Sequence, residues 1–375
     1  MRNLSSNTEA FLALIRAGLW EQEPPNLQLK DVNFVEIYQI AQKQSVVGLI
    51  AAGLEKCSNF KVPKEIALNI ASDTLMLEQR NRAMNTFVGG LIEKMRNTGL
   101  YSVLLKGQGI ARCYERPLWR SCGDIDLLLN EDNYIKAKNF LIPLSKYIDK
   151  EHIETKHSAL TIDFWEVELH GTLKTCLWRC LDRGLDEVNR SVFYGGKVRS
   201  WMNDRTQVFL PGSNEDVIII FTHILQHFFM GGIGLRQVCD WCRLLWTYNN
   251  ELDYRLLNER LCQMGIMSEW KAFSALAVDY LGMRPDDIPY YSPKGRWSKK
   301  ADRVLSYIIE TGNFGHNRDI SYQSKYPPVI RKVVTFWRQA VDSFRLMGIF
   351  PLDALRSLFN YGIRGTKLHL NKDKL

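Results

Sequence analysis

Residues 122–130 read CGDIDLLLN, and their interpretation decides what the middle of the chain is. Side chains two apart on a β-strand point to the same face. Asp124 and Asp126 would then project together while Ile125 and Leu127 face a core. A paired carboxylate edge suits a hard cation, since magnesium takes one or two protein carboxylates together with substrate phosphates. The alternative is a polar turn after Gly123 that leads into a buried strand, because the Asp-x-Asp spacing is common by chance.

The neighbouring segments favour the chemical reading. Upstream, VLLKGQGIARCYE (103–115) reads as a strand that ends in Lys106, Gly107, Gln108 and Gly109 and runs into a helix-like segment. Backbone N–H groups at such a turn can face a polyphosphate, with Lys106 as a point charge; the plainer reading is a glycine turn. Arg120, just before the acid pair, is either a cation for phosphate or a solvated loop residue. Downstream, WEVELHGTL (165–173) sets Glu166, Glu168 and His170 on one strand face, which offers a third carboxylate from either glutamate. His170 is placed to orient Glu168, to touch substrate, or simply to pack.

Around this centre the pattern divides into three stretches. Residues 1–100 have apolar spacings of three and four, as in TEAFLALIRAGLW and PKEIALNIASDTLMLEQRNRAMNTFVGGLIEKMRNTG, and predict an N-terminal helical region broken at Pro24, Pro25 and Pro63. Residues 101–212 carry short strand-length runs, YSVLLKG, DIDLLL, HSALTIDF and WEVELHGTL, with a helix EDNYIKAKNFLIPL among them. VFYGGKVRSW and QVFLPG add a hairpin whose turn is the double glycine. Residues 213–375 return to helical spacing, opened by a capping box from Ser213 to Asp216. The fold class expected is α+β: a small mixed β-sheet core flanked by N-terminal and C-terminal helical regions.

Composition excludes several classes. With 46% apolar and 24% charged residues the chain is an ordinary globular one, neither fibrous nor disordered. A net charge of +8 favours an anionic partner. The basic residues are spread thinly apart from the closing RGTKLHLNKDKL, so small anionic ligands are expected rather than nucleic acid. No secretory signal opens the chain, and VIIIFTHILQHFFMGGIGL (217–235), with His223, Gln226 and His227, reads as a buried helix and not a membrane span. A cytoplasmic location and unpaired thiols follow for the eight cysteines, Cys239 and Cys242 included. His223 and His227 lack the zincin glutamate and read as packed histidines, and Asp240 is expected to pair with Arg236.

Taken in order, LLKG, RSCGDIDLLL, VELHGTL, EDVIIIFTHILQH and GLRQVCDWCRLL, within residues 104–246, resemble the bacterial family labelled uncharacterised nucleotidyltransferase, of the polymerase-beta-type superfamily. The resemblance implies that Asp124, Asp126 and a third acid hold Mg²⁺ or Mn²⁺. The family pattern has its acid directly before Leu-His, which selects Glu168 over Glu166 as ligand and base. Lys106, Gly107, Gln108, Arg120 and His170 would then serve the nucleotide. Gln108 departs from the serine or second glycine of many relatives. The implied activity moves a nucleoside monophosphate from a nucleoside triphosphate to an acceptor, sugar phosphate or glycan-related among the choices. A catalytically silent nucleotide- or partner-binding module on the same fold is the alternative.

Overall fold

A computed structural model describes residues 4–23, 32–57, 61–149, 151–313 and 327–370. Pro24, Pro25 and the last residues of the basic C-terminus lie outside them. The N-terminal region forms α1 (Ser6–Trp20), α2 (Phe34–Lys43), α3 (Val47–Lys56) and the 33-residue α4 (Lys64–Arg96). The helical spacing between Asn33 and Lys56 forms two helices rather than one, because Ser45 takes a left-handed φ of 57° between α2 and α3. Pro63 stands at the start of α4, where its missing N–H costs nothing. Gly99, at φ 77°, closes the turn after it.

Among the described residues the central sheet has seven strands, more than the small sheet expected, and it is mixed as the α+β reading requires. Its strands are β1 (Val103–Leu105), β2 (Asp124–Leu128), β3 (Tyr147–Ile148), β4 (His157–Ile162), β5 (Trp165–His170), β6 (Arg199–Asn203) and β7 (Thr206–Leu210), in the spatial order β3-β4-β5-β2-β1-β7-β6. β2 lies between β1, antiparallel to it, and β5, parallel to it. Between the strands run the short α5 (Gly107–Ala111), α6 (Glu131–Leu141) and α7 (Arg179–Tyr194).

Two details of the sequence reading change here. The double glycine is not a hairpin turn: Gly195 ends α7, a helix whose apolar positions Leu181, Leu185, Val188 and Val192 are buried at helical spacing. The β6–β7 hairpin instead turns at Asp204, whose φ is 53°. α8 (Ser213–Met230) has Gly212 before its first turn and no side-chain cap. Ser213 Oγ donates to Glu251 at 2.6 Å, and Asp216 pairs with Arg199, so tertiary partners take both groups of the expected capping box.

The C-terminal region continues with α9 (Leu235–Tyr248), α10 (Tyr254–Met264), α11 (Met267–Leu281), α12 (Gly295–Thr311), α13 (Pro328–Met347) and α14 (Pro351–Leu370). Its core is continuous with that of the N-terminal helices. Trp20 Nε1 donates to Leu281 O at 2.6 Å and Gln44 Nε2 to Ile308 O at 3.0 Å, tying α1 and the end of α2 to α11 and α12. The other face of the sheet packs Leu104, Ile125, Leu127, Val167 and Leu169 against Met84, Val88, Leu91 and Met95 of α4. α4 therefore serves both cores, since Ile66 and Ile70 at its start belong to the first. No described helix is long and apolar enough to cross a membrane, and no disulfide joins the eight cysteines.

Candidate active site

The period of two on β2 buries Ile125 and Leu127 on the α4 side and turns Asp124 and Asp126 to the opposite face. Parallel pairing then sets Asp126 beside Glu168 and Asp124 beside Glu166. Asp124, Asp126 and Glu168 each bring a carboxylate oxygen to within 4.8 Å of the other two. Glu166 is exposed and stands outside this set, so register alone would not choose between the glutamates, but side-chain placement does.

Asp126 is buried at 1% exposure and is held from two sides. Lys106 Nζ lies 2.8 Å from its Oδ1, and His170 Nε2 donates to the same atom at 2.7 Å. Burial disfavours the Lys106 ammonium, yet Asp126, Asp124 and Glu168 outweigh it and hold the amine charged. The neighbouring Asp126 charge, helped by burial, raises the Asp124 carboxyl above its usual range. Burial also acts against the Glu168 anion, but hydrogen bonds from His157 and His170 and the Lys106 charge drive this carboxyl far below its usual range. His170 is disfavoured as a cation by burial and restored by Asp126 and Glu168, with a net upward shift. The donor set is all oxygen and its repulsion is only partly neutralised, which fits a hard divalent cation.

The Lys106–Gly107 turn is built for close approach. Lys106 has φ 49° and Gly107 φ 43°, and a Cβ on Gly107 would sit 3.2 Å from Cys122 Sγ. Gln108 does not face this site. Its side chain is buried, and Nε2 donates to Asn81 Oδ1 at 2.8 Å, so the expected nucleotide contact from the amide is corrected to a structural one. Asn81 Nδ2 in turn donates to Leu118 O and Arg120 O at 2.7 and 2.8 Å, clamping the loop that leads into β2.

Arg120 is corrected likewise. Its Nε and Nη2 donate to Asp240 Oδ1 and Oδ2 at 2.8 and 2.7 Å, and Nη1 donates to Ser121 O. Tyr114 completes the cluster, its hydroxyl donating to Asp240 Oδ1 at 2.8 Å. A guanidinium with this many partners and 7% exposure is a strut beneath the loop, not a phosphate contact. Arg236, expected on Asp240, instead donates from Nη1 to Ser121 O at 2.6 Å, and its charge is felt at Asp124. One helical turn separates Arg236 from Asp240, but the aspartate had a fork-shaped partner on the loop above it.

Sequence reasoning missed His157. It begins β4 directly opposite His170, and its Nε2 lies 3.1 Å from Glu168 Oε2. No spacing rule joins residues 157 and 168; only the antiparallel register does. His223 and His227 of α8 stack edge to face at 4.4 Å. Burial and the Lys106 charge lower both imidazoles, His227 to about 4, which places them within electrostatic reach of the site. Cys239 and Cys242 are buried in α9, and burial pushes both thiols up, as in packed, unreactive cysteines.

A lysine-glycine turn, an aspartate pair and a third acid on adjoining strands of a mixed sheet mark an enzyme that handles phosphorus-containing groups, and the known families agree: the chain is a nucleotidyltransferase. It belongs to the family described as "Uncharacterised nucleotidyltransferase", whose model matches residues 30–282. No curated protein and no solved structure matches it.

Proposed function

We propose that the protein transfers a nucleoside monophosphate from a nucleoside triphosphate to an acceptor hydroxyl or phosphate, with Mg²⁺ or Mn²⁺ held by Asp124, Asp126 and Glu168. The acceptor oxygen attacks the α-phosphorus, a hydroxyl acceptor passes its proton to Glu168 and on to solvent, the bond to the bridging oxygen breaks, and pyrophosphate leaves with that electron pair. The cation supplies neutralisation of the charge that builds on the phosphoryl oxygens. Lys106 and Arg236 flank the acids and support a role in holding the polyphosphate in line. Glu168 is proposed both as a metal ligand and as the base that takes the proton of a hydroxyl acceptor. The acceptor is proposed only by class, as a molecule with a nucleophilic oxygen such as a sugar phosphate.

The observation that carries this reading is the convergence of three carboxylate oxygens within 4.8 Å beside a lysine. Purified protein, each α-labelled triphosphate in turn and a host extract should yield a labelled product and pyrophosphate. Asp126→Asn should lower the rate by at least about a hundredfold, as loss of one charge-stabilising group does. Transfer at the wild-type rate in that variant would overturn the assignment. Nucleotide binding without pyrophosphate release would favour the silent module.

A further inference from the structure

We propose that His157, His170 and Glu168 form a second, nitrogen-bearing metal site for a borderline first-row divalent ion such as Zn²⁺ or Co²⁺, with Glu168 shared between it and the acid set. The three donors come together through sheet register. His157 pairs directly with His170 across β4 and β5, Ala159 pairs with Glu168, and residues 168 and 170 share a face. Both imidazoles present Nε2 to the same oxygen, Glu168 Oε2, at 3.1 Å from His157 and 3.4 Å from His170. The three ligand atoms lie within 4.8 Å of one another.

These separations also match the spacing of neighbouring donors in a metal shell. Bonds of about 2.0–2.1 Å in a tetrahedral arrangement set neighbouring donors about 3.3 Å apart. Charge-assisted N–H to carboxylate bonds close to about 2.7–2.9 Å, and that is the length His170 reaches with Asp126, 2.7 Å, but not with Glu168. The side chains are 24%, 21% and 16% exposed for His157, Glu168 and His170, so an ion can enter from solvent and keep an open position for water or a phosphate oxygen. Imidazole nitrogen selects against magnesium and manganese and for zinc or cobalt, whereas the all-oxygen set suits magnesium and manganese. Two chemically different sites that share one carboxylate follow. Binding takes the Nε2 lone pair of each ring, so a proton carried there passes to solvent and His170 gives up its hydrogen bond to Asp126, which Lys106 still holds.

The inference does not rest on nucleotide transfer, and it is tested without nucleotide. Chelator-treated full-length protein is titrated with Co²⁺ and followed by visible absorption and calorimetry. The expected result is a ligand-field band in the visible range that saturates with one site. His157→Gln keeps an N–H donor for Glu168 but offers no imidazole, so a positioning role would be rescued and a ligand role would not. It should weaken Co²⁺ binding at least about tenfold, while Asp124→Asn leaves the band in place. Pulsed electron paramagnetic resonance of the wild-type protein loaded with one equivalent of Cu²⁺, an ion that imidazole suits, provides a readout that needs no variant, and it should show nitrogen couplings from imidazole. Absence of the cobalt band, equal affinity in His157→Gln, loss of the band in Asp124→Asn, or a copper signal with no nitrogen coupling would each overturn the site. Failure of Asp126→Asn to impair transfer would leave this site standing, so the two proposals fail separately.

Discussion

Asp240→Asn should destabilise the protein by about 3–5 kcal/mol, because it removes one partner of a buried ion pair and leaves the other charge in place. Arg120 and Asp240 side chains are each 5% exposed, and the pair is bidentate at 2.8 and 2.7 Å. Burial opposes the guanidinium charge, and the carboxylate more than restores it, so the arginine stays protonated and loses its counter-charge in the variant. Asparagine keeps one oxygen and cannot answer both N–H groups of the fork, nor supply the charge. The loop held by this pair leads directly into Asp124, so transfer should fall together with stability. The measurement is the urea midpoint at unchanged m-value, with transfer assayed on the same preparations. Replacing the whole cluster, Arg120→Met with Tyr114→Phe and Asp240→Leu, removes every polar group at once. It should recover most of the loss, since a well-packed apolar replacement of a buried pair is near neutral. A loss below about 1 kcal/mol in Asp240→Asn would refute the strut, because that is the worth of an exposed pair and not a buried one.

Two further outcomes follow from the packing and the charges. Gly53→Ala should lower the melting temperature sharply, with a cost of about 2 kcal/mol or more from overpacking. Its Cβ would lie 2.1 Å from Leu14 O where α3 crosses α1, and thermal unfolding with retained solubility is the check. His227, whose folded-state value is lowered to about 4, contributes stability that is fully present above the unfolded value of 6.5 and is lost as pH falls from there towards 4. The shift bounds that loss at about 3 kcal/mol, and an NMR titration in which the His227 ring protonates near pH 6.5 in the folded protein would contradict it.

The acid pair was legible because strand period is local: CGDIDLLLN fixes which residues share a face whatever the strand pairs with. The helical character of both flanks was legible for the same reason, since spacings of three and four repeat along α1, α4 and α8. Local pattern failed where a polar group had a distant claimant. The Ser213 and Asp216 box was displaced by Glu251 and Arg199, Gln108 was captured by Asn81, and Arg120 by Asp240. α7 was overlooked because the double glycine after Tyr194 was read as a turn between strands and not as the end of a helix.

The sequence by itself therefore determined an α+β chain with two aspartates on one strand face, because side-chain direction along a strand needs no partner. Only tertiary structure decided that Glu168 and not Glu166 joins them, that His157 meets Glu168, and that Arg236 rather than Arg120 stands by the acids. Those contacts depend on which strands pair, in which register, and on which buried charge finds the best-shaped counter-charge. Each is a relation between segments remote in the chain, and no spacing within one segment encodes it.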